Sequence, residues 1–163
     1  MGTTTALRQA LKRKFIPFAE SRGFVVDRRD QPISTVFRRY TGKVVHIFAV
    51  QWEEYGSPRF IINFGTCPAC GVVIRGESHS AENYLPSWCD DSGTLQPSRG
   101  NSSRSWFRQD HSMMHRLSLK SSLRAPEDVV EEMLALFPEL EHYWSTGEVG
   151  QHMRIWPSRE NKQ

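Results

Sequence analysis

Residues 33–67, ISTVFRRYTGKVVHIFAVQWEEYGSPRFIINFGTC, restrict the fold of this chain more than any other segment. Apolar side chains alternate with others in three runs, and an alternation of period two predicts β-strands. The two stretches between the runs, residues 41–43 and 54–58, carry the Gly and Pro that suit tight turns. The segment therefore predicts an antiparallel meander with one face on a core and the other towards solvent.

Two amphipathic helices are predicted, one on each side of this meander. Residues 4–21 repeat apolar side chains at steps of four, four and three, and Gly23 suits the end of a helix. Residues 126–144 begin with a Pro and two acidic residues, which favour a helix N-terminus. Pro17 and Pro138 are expected to bend or split these helices.

The order of elements predicts an α+β fold, with helices packed on an antiparallel β-sheet. Short strands are expected at residues 24–26, 72–74 and 105–108, and an extended segment at 150–156. Residues 77–103, rich in Ser, Gly and Pro, predict a long loop, and the tail from about residue 157 is expected to be flexible. The whole chain, residues 1–163, is expected to form one domain.

Composition narrows the class of protein. Hydrophobic residues make up 38% of the chain and aromatic residues 11%, which suits a soluble globular domain and slightly favours a binding surface. No apolar run approaches the roughly 20 residues of a membrane helix, and the N-terminus does not resemble a secretory signal. The three Cys residues are therefore expected to be reduced thiols in a cytoplasmic protein.

The net charge of +3 conceals an uneven distribution. Residues 1–50 carry ten Lys/Arg and three Asp/Glu, whereas the rest of the chain is slightly acidic. A basic segment can contact nucleic acid, but it can equally be a solvated helix face, and no standard nucleic-acid-binding motif is present. The residues that would form such a surface are Arg8, Lys12, Arg28, Arg29, Arg38 and Arg39.

A series of short motifs runs through most of the chain. They are Leu7 to Gly23 with Pro17-Phe18, Phe37-Arg38-Arg39, Gln51-Trp52, Tyr55-Gly56, Pro58-Arg59-Phe60, Asn63-Phe64-Gly65, Cys67-Pro68, Trp106-Phe107 and the helix at Pro126. Together these motifs resemble the bacterial family catalogued as domain of unknown function 4304. The resemblance spans about residues 7–144 and implies a bacterial α+β domain, without an established activity, cofactor or catalytic residue. Cys70 and Cys89 lie outside its pattern.

Two patterns are weak candidates for metal sites. Cys67-x-x-Cys70 could hold zinc if His79 and Cys89 completed the set, but a lone pair of thiols at a strand end explains the spacing better. A redox dithiol would need a helix after the motif, and Gly with three β-branched residues follows instead. His111 and His115 have the spacing of a helical metal pair, yet the helix expected there is poor.

The strongest candidate site combines arginine and aromatic side chains on the sheet. Arg38, Arg39, Trp52 and Arg59 lie on neighbouring strands, where they could meet at one end and bind an anion or a protein. The alternative is that Arg38 and Arg59 are solvated while Trp52 closes the core. Asn63 is expected to point outward or, if buried, to be hydrogen-bonded.

These features favour a non-enzymatic protein-binding module, for instance an immunity-type inhibitor of a toxin. No catalytic combination of Ser, Cys, His and carboxylate can be assembled from the spacings. The binding residues predicted for this role are Arg38, Arg39, Trp52, Tyr55, Arg59 and Trp88. A nucleic-acid-binding protein and a zinc or thiol enzyme are the alternatives.

Overall fold

The computed structural model describes residues 3–27, 33–100, 103–110 and 123–157. It confirms the predicted α+β architecture: two helices pack on a mostly antiparallel sheet of seven strands. The elements are α1 (Thr3–Ser21), β1 (Val25–Val26), β2 (Ser34–Thr41), β3 (Val44–Trp52), β4 (Arg59–Pro68), β5 (Val72–Ile74), β6 (Glu77–His79), β7 (Gly93–Leu95), β8 (Phe107–Arg108), α2 (Pro126–Thr146) and β9 (Met153–Ile155). The sheet order is β1-β2-β3-β4-β7-β9, and β8 pairs with the same strand β4 as β7 does.

The main core lies between the two helices and one face of the sheet. Phe37 of β2 and Phe48 of β3 are opposite each other in the register, and their rings stack at 4.5 Å. Phe15 of α1 and Phe137 of α2 contact both the Phe48 ring and each other. The predicted apolar stripes of the two helices are therefore buried against each other and against this face of the sheet. We call it the helix face.

Each helix continues through its internal proline, so the predicted split at Pro138 does not occur. A proline removes one backbone hydrogen bond, and the apolar stripe packed on the sheet holds the remaining turns in place. Gly147 ends α2 in a left-handed conformation with φ 78°, and its N–H donates to the Tyr143 carbonyl. No described helix is long and apolar enough to cross a membrane.

The other face of the sheet, the far face, is not solvated as the alternation predicted. Residues 81–89 fold over it and form a second apolar cluster around the buried Tyr84. Asn63 is 8% exposed, and it is hydrogen-bonded as expected if buried: it donates to Gln51 and accepts a hydrogen bond from Thr94. Far-face strand positions are thus buried as well, which explains the near-continuous burial of β3 and β4.

Residues 77–103 are not the single long loop that their composition predicts. They contain β6, two short 3-10 turns at Ala81–Asn83 and Pro86–Trp88, and strand β7. β7 is only three residues long and includes Gly93, so its composition gave no strand signal. It becomes a strand because it inserts between β4 and β9 and pairs with both.

Candidate functional site

Arg38 and Arg39 lie on opposite faces of β2 and do not form one site. Arg38 is 5% exposed, pairs with Asp27 at 3.0 Å and donates to the Tyr84 carbonyl at 2.7 Å. Arg38 is therefore not solvated, which was the alternative to its predicted binding role. Asp27 neutralises its charge, and its hydrogen bond to Tyr84 connects β2 to residues 81–89, which cover the far face.

Arg39 faces the helices and joins α2 to the edge of the sheet. Its guanidinium makes two parallel hydrogen bonds to Glu141, at 2.9 and 2.8 Å, and lies over the Phe24 ring. It also lies 3.1 Å from Nδ1 of His46, whose ring stacks on Trp144. Because a guanidinium only donates, Nδ1 of His46 accepts, which fits a neutral imidazole. Burial first, and then the Arg39 charge, lower the pKa of His46.

Trp52 and Arg59 lie towards the opposite end of the sheet from Arg39. Trp52 belongs to the main core, with the Arg8 guanidinium 4.3 Å from its ring centroid. Arg59 pairs with Glu53 at 3.3 Å. Tyr55 stands in the turn between β3 and β4 and is 90% exposed. The structure thus separates the arginine and aromatic residues that the sequence placed in one group.

The cysteine expectations are wrong for two of the three residues. Cys67 and Cys89 form a disulfide, while Cys70 is a free, exposed thiol. Cys67 points to the far face of β4, and the missing side chain of Gly65 lets Cys89 approach, since a Cβ there would lie 2.6 Å from the Cys89 Cβ. With two of its sulfurs bonded to each other, the proposed zinc set of Cys67, Cys70, His79 and Cys89 cannot form.

No cluster of three or more His, Cys, Asp or Glu side chains suited to a metal ion occurs in the part of the chain that the structure describes. His111 and His115, the second metal candidate, lie outside the described residues. The disulfide therefore rules out the cysteine site, while the His111 and His115 pair stays a prediction.

A wide cleft lies between the β5–β6 hairpin and the 3-10 turn at Pro86–Trp88; we call it the hairpin cleft. Its volume is about 1010 Å³. Trp88, predicted as a binding residue, and His79, predicted as a ligand, meet here with ring centroids 4.5 Å apart. The cleft is lined by Val73, Ile74, Arg75, Glu77, His79, Ser87 and Trp88.

The wall of the cleft that carries Trp88 is held rigidly against the sheet. The disulfide joins the residue after Trp88 to β4. The Tyr84 hydroxyl donates to the Pro68 carbonyl at 2.7 Å, and burial raises the pKa of this phenol. The Ser92 hydroxyl lies 2.5 Å from the carbonyl oxygens of Pro86 and Cys89. Trp88 is consequently presented in one position, as a binding anchor requires.

The opposite wall of the cleft is a two-stranded sheet separate from the main one. The two-residue turn at Arg75 and Gly76 has φ values of 51° and 82°, as primed hairpin turns require. Val73 in the middle of β5 is 68% exposed. The apolar residues 72–74 followed by Arg75-Gly76 are the sequence signal for this hairpin. Only the strand at residues 72–74 was predicted, and its partner β6 was not.

Ion pairs within the fold engage Arg13, Lys14, Arg38 and Arg39, which are four of the ten Lys and Arg residues in positions 1–50. Arg13 and Lys14 of α1 form ion pairs with Glu127 and Glu131 of α2. Of the other predicted nucleic-acid residues, Arg8 packs on Trp52, Lys12 is exposed, and Arg28 and Arg29 lie outside the described residues. The acidic helix α2 therefore cancels much of the positive charge that the sequence concentrates near its start.

Comparison with family models, curated proteins and solved structures found no significant match to this chain. The resemblance to domain of unknown function 4304 accordingly stays a prediction, and function has to be inferred from the geometry.

Proposed function

We propose that this protein is a non-enzymatic binding module whose hairpin cleft takes an extended segment of a partner protein. The observation that carries the proposal is the free edge of β5 beside the fixed Trp88 ring. An extended segment can add a strand to such an edge while its side chains enter the adjoining hollows.

The hydrogen-bond pattern of the hairpin supports strand addition at Val73. In an antiparallel pair closed by a two-residue turn, the residues flanking the turn bond to each other and the next pair turns its backbone groups outward. Ile74 and Glu77 flank the turn, so the outward pair is Val73 and Ser78. Neither outward backbone group bonds to another part of the described chain.

The side chains around this edge match a protein partner better than a small substrate. Trp88 and Val73 offer apolar area, and Trp is among the residues that most often dominate binding energy at interfaces. Arg75 and Glu77 add one charge of each sign at the turn. An immunity-type inhibitor, which blocks a toxin by covering its surface, is one form that such a module takes.

The alternatives have less support. A nucleic-acid-binding role through the N-terminal half would need arginines that are paired or buried here. A zinc or thiol enzyme would need Cys67 as a thiolate, and that sulfur is in a disulfide. The predicted cytoplasmic location is retained only as a hypothesis, because disulfides persist mainly in oxidising compartments.

The test is a selection of linear peptides from a display library, followed by affinity measurements on variants. Val73→Pro removes the outward N–H but no bond within the hairpin, and Trp88→Ala removes the anchor. Each is expected to weaken binding at least about tenfold, whereas Val149→Ala, which trims an exposed apolar side chain outside the cleft, changes nothing. Peptides that bind Val73→Pro and Trp88→Ala as tightly as the native protein would exclude this cleft.

A further inference from the structure

A second surface collects arginines around Trp106, away from the hairpin cleft. The Arg104 guanidinium lies 4.8 Å from the Trp106 ring centroid, and the Arg59 guanidinium lies 5.3 Å from it. Arg59 starts β4, opposite Arg108 of β8, and Trp106 immediately precedes β8. Pairing of β8 with β4 therefore brings these three side chains together.

Arg154 of β9 adds a further positive charge to this group. Its proximity contributes to a lowered pKa of Arg104, although partial burial of Arg104 is the larger cause. Arg154 lies opposite Thr94 of β7, and β7 leads into the segment that carries Arg104. We call Arg59, Arg104, Trp106 and Arg154 the basic aromatic patch.

Two arginines of this patch have no carboxylate partner among the described residues. Arg59 pairs with Glu53, but neither Arg104 nor Arg154 forms an ion pair with any described residue. By contrast, Arg38, Arg39, Arg108 and Arg124 are neutralised by Asp27, Glu141, Asp110 and Glu132. Neighbouring like charges left unpaired raise the free energy of the free protein and favour an anionic ligand.

The segment that presents Arg104 and Trp106 is fixed by a buried side chain. Gln96 is 0% exposed; its Oε1 accepts from the Ser105 N–H at 3.2 Å, and its Nε2 donates to the Ser103 carbonyl at 2.9 Å. The Ser98 and Ser105 hydroxyls are hydrogen-bonded at 2.6 Å. A loop held in this way loses little conformational entropy when a ligand binds.

We propose that the basic aromatic patch binds a carboxylate-rich segment of a protein partner. A guanidinium group matches a carboxylate with two parallel hydrogen bonds, and the Trp106 ring supplies apolar area beside it. A nucleic-acid strand is a poorer fit, since two unpaired arginines give few phosphate contacts.

The probe is a fluorescein-labelled hexaglutamate peptide, measured by fluorescence anisotropy at 20 mM and 150 mM NaCl. Arg104→Ala combined with Arg154→Ala is expected to weaken binding at least tenfold at the lower salt concentration. Lys12→Ala combined with Lys43→Ala removes the same charge from exposed positions elsewhere and is expected to retain affinity within about twofold. Thermal unfolding of all variants verifies that they fold.

Trp106→Phe provides a second readout. Peptide addition is expected to change the intrinsic tryptophan fluorescence of the native protein and to leave that of the Trp106→Phe variant unchanged. The proposal is overturned if the native protein does not bind the peptide at 20 mM NaCl, or if both double variants bind it equally. Binding of a single-stranded RNA dodecamer that hexaglutamate cannot displace would instead assign the patch to nucleic acid. None of these outcomes depends on the hairpin cleft.

Discussion

Removal of the Cys67–Cys89 disulfide should destabilise the whole domain and not only the segment that it closes. Cys67 and Cys89 are 1% and 4% exposed, and their disulfide joins β4 to the segment that covers the far face. Replacing both residues in a Cys67→Ala, Cys89→Ala variant removes the crosslink without leaving a buried polar group. The far-face cluster would then be held only by packing and hydrogen bonds.

The size of the effect follows from the length of the closed loop. The two cysteines are 22 residues apart. The loss of chain entropy that such a crosslink imposes on the unfolded state corresponds to about 3 kcal/mol at 25 °C. For a domain of 163 residues, a loss of this size lowers the melting temperature by about 6–12 °C.

The assay is thermal unfolding followed by circular dichroism, with and without reductant. The double variant should melt about 6–12 °C below the native protein and should not respond to reductant. Cys70→Ala is the matched control: it removes the exposed free thiol, so its melting temperature should equal that of the native protein and fall with reductant. Intact-mass measurement after alkylation should count one free thiol in the native protein.

Two results would contradict the reasoning. If the double variant melts within about 2 °C of the native protein, the crosslink does not constrain the unfolded chain as the loop length implies. If Cys70→Ala loses the response to reductant instead, then Cys70 takes part in the crosslink and the assigned pairing is wrong.

Two further predictions concern the sheet. Burial and the Arg39 charge lower the pKa of His46 in the folded state. The free energy of unfolding should therefore fall as the pH drops below about 6.5, because the unfolded chain then binds a proton that the folded chain excludes. An NMR titration that gives His46 a pKa at or above its usual value of about 6.5 would contradict this. The second prediction is that Gly65→Ala destabilises the fold by about 1–3 kcal/mol, measured by urea unfolding. The reason is that the added Cβ would lie 2.6 Å from the Cys89 Cβ. An unchanged urea midpoint of unfolding would refute this close approach.

Local patterns were sufficient to predict most elements. These patterns are the apolar stripes of the helices, the alternation in residues 33–67 and the glycines at turns. Each involves residues close together in the chain, so it can be recognised without knowledge of tertiary contacts. β7 could not be predicted, because three residues including Gly93 have no strand preference of their own. Its conformation results from pairing with β4 and β9, whose residues lie about 30 and 60 positions away.

The candidate site followed less directly from the sequence. Trp88 and His79 were identified as candidates from their residue types, yet their meeting across one cleft depends on how residues 81–89 fold over the sheet. Arg38 and Arg39 are adjacent in a strand, so their opposite directions could have been predicted from the pleat. Their partners could not, because Glu141 lies 102 residues beyond Arg39.

The sequence by itself determined the α+β class, the meander and the two helices, since each depends on periodicity within a short window. Four features depend on the tertiary structure alone. They are the disulfide, the packing of residues 81–89 on the far face, the ion pairs between α1 and α2, and the arginines around Trp106. These features join residues distant in the chain, and residue spacing alone does not specify which distant side chains a packed fold brings together.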